Sequence, residues 1–184
     1  GRLIGAEPGK PPSAYSIAKL LLILSGDADE PDNKPPARKL ILLLNNNEQF
    51  IDAFWGAVLG GIVPVPVAVG ISDEHRHKLL RIARKLGKPF LYTDRKTLER
   101  VGQFAAVAGE QALFDGLRAR CFLADALDDI SRAGSVHRAR PGDTAFIQFS
   151  SGSTSAPKGV VLTHANILAN GRGAGEAARF GTDD

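Results

Sequence analysis

Apolar positions in this chain follow two rhythms. Continuous runs stand at Lys39–Leu44 and Ala145–Phe149, the pattern of strands covered on both faces. Lys88–Tyr92 reads as a further strand and Cys121-Phe122-Leu123 as a short one. Between the runs, spacings of three and four predict helices. One starts at Glu48 and carries Phe50, Ile51, Phe54, Val58 and Leu59; a second sets Leu79, Ile82, Ala83 and Leu86 against a basic face of His75, Arg76, His77, Lys78, Arg81, Arg84 and Lys85. A third covers about Arg95–Ala108, and Ala112, Leu113 and Leu117 suggest a short fourth. Ahead of all these, Ile17, Leu20, Leu21 and Leu24 predict a helix capped by Ser13 and stopped at Gly26.

Boundary residues agree with this division. Asn45-Asn46-Asn47 suits a turn that caps the next helix, which Gly60-Gly61 ends. Ser72, followed by Asp73 and Glu74, and Asp94 are N-cap candidates, as is Thr163 before His164–Asn170. Ile62–Val69 alternates Val with Pro64 and Pro66. Two prolines exclude an ordinary central strand, so this stretch is an edge or an extended crossing segment. Strand and helix alternate about four times, which predicts an α/β fold: a mostly parallel sheet flanked by helices, with Lys39–Leu44, Lys88–Tyr92 and Thr144–Phe149 all parallel. Gly1–Pro12 is expected to fray, Asp27–Ala37 to loop, and Arg138–Asp143 to turn.

Composition narrows the class. At 184 residues, 43% hydrophobic and 23% charged, the chain suits one globular domain or an incomplete larger one. A net charge of +3, without a basic stripe carrying aromatics, argues against a nucleic-acid partner. One cysteine, Cys121, excludes an internal disulfide and reads as a packed thiol. No apolar run reaches the length of a membrane span, no leader layout opens the chain, and cytoplasmic residence is the expectation. Trp55 reads as a core or subunit-packing side chain. His75-x-His77 has no third ligand nearby, and residues two apart on a helix do not face each other, so the solvated-face reading is preferred over a metal site. Asp125, Asp128 and Asp129 are read as solvated and helix-capping.

The chemistry concentrates after Phe149. Ser150, Ser151, Gly152, Ser153, Thr154 and Ser155 form a loop of small and hydroxylated residues, closed by Pro157, Lys158 and Gly159. Hydroxyls and successive backbone N–H groups make an anion-binding nest, and the glycines let backbone approach a ligand. Lys158 adds one cation, aimed by the stiff Pro157 before it. A Walker A loop needs Gly-Lys-Ser/Thr and an opening helix; here Lys158-Gly159 leads into the apolar run Val160–Leu162. Ser/Gly-rich stretches are often linkers, but the flanking apolar runs and the single lysine argue for a phosphate loop. The loop follows its strand's carboxyl end, where α/β sheets bind ligands.

SSGSTSAPKGV (Ser150–Val160) resembles the phosphate-loop signature of the adenylate-forming superfamily, which comprises acyl-CoA synthetases, peptide synthetase adenylation domains and fatty acyl-AMP ligases. The usual signature has Gly where this chain has Ser155. NNNEQFIDAFWGAVLGGIVPVPVAVG (Asn45–Gly70) and THANILANGRGAGEAARFGTDD (Thr163–Asp184) resemble the fatty acyl-AMP ligase branch. The resemblance implies ATP and Mg2+, a fatty acid as second substrate, and an acyl carrier protein of a polyketide or peptide synthase as acceptor. It implies that Ser150–Ser155, Pro157 and Gly159 bind nucleotide phosphate, with Lys158 as the catalytic cation. The family's adenine-binding, ribose-binding and metal-binding segments and its C-terminal catalytic lysine have no match here, so residues 1–184 are expected to be an incomplete N-terminal portion, inactive alone. Another branch of the superfamily, or a non-catalytic nucleotide-binding module, are the competing readings.

Overall fold

A computed structural model describes residues 38–125, 136–150 and 156–179. The helix expected after Ser13, Asp128, Asp129 and the loop residues 151–155 lie outside the described residues.

Four strands, β1 (Lys39–Leu43), β2 (Val63–Pro66), β3 (Phe90–Thr93) and β4 (Cys121–Leu123), form a parallel sheet in the order β2-β1-β3-β4. Its register pairs Leu40 with Pro64 and with Phe90, and Tyr92 with Phe122. Helix α1 (Asn47–Leu59) covers one face, where Leu40, Leu42 and Tyr92 meet Ala53 and Ala57. On the other face Ile41, Leu43 and Leu91 meet α2 (Asp73–Leu86), α3 (Arg95–Val107) and α4 (Gln111–Arg118). The continuous apolar run of β1 follows from this double cover. Buried Thr93 satisfies its hydroxyl by donating to the Leu43 carbonyl, 2.7 Å away on the paired strand.

The caps behave largely as the residue types dictate. Asn46 and Asp94 accept from the N–H groups of Gln49 and Thr97, at 3.0 and 2.8 Å. Asp125 lies 3.3 Å from the N–H of Arg95 and adds a second acceptor at the start of α3. Ser72 stands at the N-cap of α2 without a capping bond, because its hydroxyl pairs with His75 Nδ1 at 2.6 Å. Gly61, which ends α1, has φ +71°, and a Cβ there would come within 2.7 Å of the His137 ring. Both conditions require glycine.

The placement of Thr144–Phe149 is corrected. Thr144–Phe149 does not join the parallel sheet. It belongs to β5 (Thr144–Ser150), which pairs antiparallel with β6 (Lys158–Thr163) as a separate hairpin. The cause is in β2. Val63 and Val67 donate their N–H groups to the carbonyls of Arg38 and Leu42, toward β1. Alternate residues turn their amides the other way, so Pro64 and Pro66 stand on the side facing β5, where they have no N–H to give. β5 packs alongside β2 without a hydrogen-bonded ladder. Side chains make the junction: Ile147 and Phe149 enter the α2 core, and Phe146 meets Phe54 edge-on with ring centroids 5.5 Å apart.

Of the two readings of Trp55, the core one is ruled out. The residue is 53% exposed, in a stripe with Ile51 and Leu59, while α1 turns Ala53, Gly56 and Ala57 inward. The smaller residues let α1 sit close on the sheet.

Partial burial, and secondly the charge of Glu48, push the Asp52 carboxyl above its ordinary 3.8. The folded chain thus binds that proton more tightly than the unfolded chain. The stability this gives is fully present below the unfolded value and is lost as pH rises through the folded one. Asp52→Asn is therefore expected to raise the melting temperature at pH 7, an advantage that fades in melts taken below about pH 4.

Candidate functional site

The β5–β6 hairpin builds the site. Ala145, Ile147 and Phe149 are buried and Gln148 and Ser150 are exposed, so β5 has one inward face. The register places Ser150 opposite Lys158 and Phe149 opposite Gly159. Opposed residues of an antiparallel pair share a face. The hydroxyl of Ser150 and the ammonium-bearing chain of Lys158 therefore emerge together at the exposed base of the loop. Both are solvent-accessible, as Ala156 is, and Pro157 is half-buried.

Gly159 owes its identity to the opposite strand. A Cβ there would stand 2.9 and 3.0 Å from Phe149 Cζ and Cε1, and 3.3 Å from Ile147 Cγ2. The Phe149 ring thus lies across the glycine, burying itself against backbone directly beneath the loop. Below it, Thr163 caps α5 (His164–Ala178), a longer helix than the spacing predicted. Asn166 N–H donates to Thr163 Oγ1 at 3.2 Å, and Thr163 N–H donates to Asn166 Oδ1 at 3.0 Å. The N–H groups of His164 and Ala165 donate to the carbonyls of Asp143 and Pro141, tying the exit of the hairpin to its entry.

Of the expected phosphate-binding residues, Ser150, Pro157, Lys158 and Gly159 come together at the mouth; Ser151, Gly152, Ser153, Thr154 and Ser155 lie outside the described residues. A residue that the spacing did not suggest also reaches this mouth. Lys85 Nζ, from the last turn of α2, donates to the Pro157 carbonyl at 3.2 Å. The carboxyl-end rule does not account for the loop's position. Its closing end lies by the last turn of α2, whereas the carboxyl end of β1 borders an open concavity lined by Leu43, Val69, Gly70, Arg76 and Arg100, at the first turn of α2.

The other candidates are quiet. His75 packs on Gly70 and bonds Ser72, while His77 meets the Phe104 ring edge-on at 4.6 Å. No cluster of three or more potential metal ligands occurs among the described residues. No described helix is long and apolar enough to cross a membrane. Burial, then the charge of Asp125, pushes the Cys121 thiol up to about 12, so thiolate is scarce at neutral pH.

Residues 34–184 match the family model described as AMP-binding enzyme, and the chain belongs to that family. It is 31% identical over 134 residues to the 4-hydroxyphenylalkanoate adenylyltransferase of Mycobacterium tuberculosis, covering 72% of this chain and 21% of that protein. It is 30% identical over 140 residues to the long-chain-fatty-acid–AMP ligase FadD26 of Mycobacterium marinum, covering 73% and 22%. The chain thus spans about a fifth of the length of these curated relatives. The structure of McyG A-PCP complexed with phenylalanyl-adenylate superimposes with a TM-score of 0.68 at 29% identity, over 91% of this chain and 29% of that one.

Two measurements test this geometry. Gly159→Ala must displace the Phe149 ring and is expected to cost roughly 1–3 kcal/mol in chemical denaturation, with Phe149→Leu recovering part of the loss. Cys121 is expected to react with a thiol reagent at least about a hundredfold more slowly in the folded than in the unfolded chain at pH 8.

Proposed function

We propose that this chain supplies the phosphate-binding part of a fatty acyl-AMP ligase, which joins a fatty acid to ATP and releases pyrophosphate. The observation that carries this reading is the hairpin register, which sets Ser150 beside Lys158 at the base of a Ser/Thr/Gly loop. A carboxylate oxygen attacks the α-phosphorus; the bond from that phosphorus to the bridging oxygen breaks, and pyrophosphate leaves with the electron pair. The oxygen of a carboxylate is a poor leaving group, and adenylation makes it part of a good one. What the protein must supply is alignment and charge compensation on the departing phosphates.

Ser151, Ser153 and Thr154 are assigned to the β- and γ-phosphates through hydroxyl and backbone donors. Lys158 follows the pyrophosphate as charge builds on it; a flexible ammonium suits a moving anion. ATP fits the chain's own groups in that the exposed faces of Ser150 and Lys158 coincide. For Mg2+, implied by the resemblance, no cluster of three or more His, Cys, Asp or Glu stands among the described residues.

The acid is the finer part of the reading. The named relatives act on 4-hydroxyphenylalkanoate and on long-chain fatty acid, and the fatty-acid assignment leans on the Asn45–Gly70 and Thr163–Asp184 blocks. The acceptor is assigned as an acyl carrier protein and the compartment as the cytoplasm, where ATP is available.

The experiment is fatty-acid-dependent exchange of labelled pyrophosphate into ATP by the full-length enzyme. Losing one charge-assisted contact costs about 1.5–3 kcal/mol, roughly ten- to a hundredfold in rate. Lys158→Ala is expected to slow exchange at least about tenfold, through ATP and not the fatty acid. Thr154→Ala should act in the same direction more weakly, and Cys121→Ser hardly at all. Wild-type exchange by Lys158→Ala at limiting ATP would remove the phosphate-loop assignment.

A further inference from the structure

We propose that Lys85 is a positioning residue for the phosphate loop, holding the Pro157–Lys158 peptide so that Lys158 is presented to the departing pyrophosphate. The proposal rests on the assignment of Lys158 made above. Lys85 lies 72 positions earlier in the chain and on a different layer of the fold. Its ammonium nevertheless reaches the Pro157 carbonyl at 3.2 Å.

The acceptor atom is what gives this contact its reach. The Pro157 carbonyl and the Lys158 nitrogen and Cα belong to one planar peptide unit. Fixing the oxygen fixes the tilt of that plane, and with it the direction in which the Lys158 side chain leaves the backbone. Proline has already restricted the φ angle on the other side of the same unit. Lys85 adds a side-chain restraint just before Lys158, whose own backbone enters β6 opposite Ser150.

The donor is well anchored. α2 buries Leu79, Leu80, Ile82 and Ala83 against the sheet, so its last turn is a fixed point relative to the core. The hairpin needs such a point. The prolines of β2 leave no ladder between the parallel sheet and β5, and apolar contacts at Ile147 and Phe149 resist separation better than rotation or sliding. A directional, charge-assisted bond at the loop's closing end restrains the motions that nondirectional packing permits.

An exposed bond of this kind adds little to global stability. The effect should therefore appear in how ATP is handled and not in whether the protein folds. The test uses Lys85→Met, Lys85→Arg and Lys158→Ala, singly, and Lys85→Met combined with Lys158→Ala, in the full-length enzyme. Lys85→Met is expected to raise KM for ATP in pyrophosphate exchange about threefold to tenfold, with KM for the acid and the melting temperature unchanged. Lys85→Arg, whose guanidinium also donates to a carbonyl, should restore most of the loss. In the Lys158→Ala background Lys85→Met should change nothing further, since the side chain it positions is gone.

An unchanged KM for ATP in Lys85→Met, with Lys158→Ala impaired, overturns the positioning role and leaves the loop assignment standing. Fully additive losses in the double variant also overturn it, because they would place Lys85 on the nucleotide directly. Lys158→Ala with wild-type exchange instead removes the assignment on which the proposal rests.

Discussion

The absent N–H groups of Pro64 and Pro66 constrain everything that follows in this fold. They make β2 the edge of the parallel sheet, although another strand runs directly beside it. A strand in that place could have been held by backbone bonds, each indifferent to sequence. Instead β5 is held by what its side chains touch, so Phe146, Ile147 and Phe149 carry the placement of the loop that follows them. The hairpin is consequently a unit in its own right, closed by its internal register, by the Thr163–Asn166 capping box and by the bonds from His164 and Ala165 back to the turn before β5.

That division separates two tasks. The parallel sheet, covered by α1 on one face and by α2, α3 and α4 on the other, supplies an apolar core in which the buried hydroxyl of Thr93 is satisfied. The hairpin presents Ser150 and Lys158 together at its exposed strand ends. Its mouth is polar on one face, through Ser150 and Lys158, and apolar on the other, through Phe149 lying over Gly159. The same two strands thus point chemistry outward and anchor it inward, with glycine as the thin layer between.

Much of this was legible in the residues. β1 was, because a strand covered on both faces has no polar position to interrupt it. The caps at Asn46 and Asp94 were, because a short side-chain acceptor before a helix has one dominant use. Proline chemistry kept β2 out of the sheet's interior and left an edge strand or an extended crossing segment, of which the structure shows the edge. Strand direction was not legible: apolar runs carry no arrow, and β5 reads the same whichever way its neighbour travels. Nor was the inward face of α1, where Phe50, Phe54 and Val58 form one stripe and Ile51, Trp55 and Leu59 another; small residues between them decided the outcome. Ser72 holds the N-cap position but makes no capping bond, because His75, one turn on, competes for its hydroxyl. The contact of Lys85 with Pro157 lay beyond reach for a different reason. Lys85 is one of seven basic residues along α2, and nothing local in the sequence distinguishes it as the one that finds a carbonyl on another layer.

The exposed position of Trp55 has a spectroscopic consequence. It is the only tryptophan in the chain, and Phe54, its T-shaped neighbour at 5.5 Å, leaves half the indole in water. Indole emission shifts to longer wavelength in water and to shorter wavelength in apolar surroundings. The fluorescence of this chain therefore reports on the outer face of α1, and on β5 only through the ring contacts that run from Trp55 to Phe54 to Phe146. Any segment or partner that comes to lie across Ile51, Trp55 and Leu59 announces itself as a blue shift, without a label.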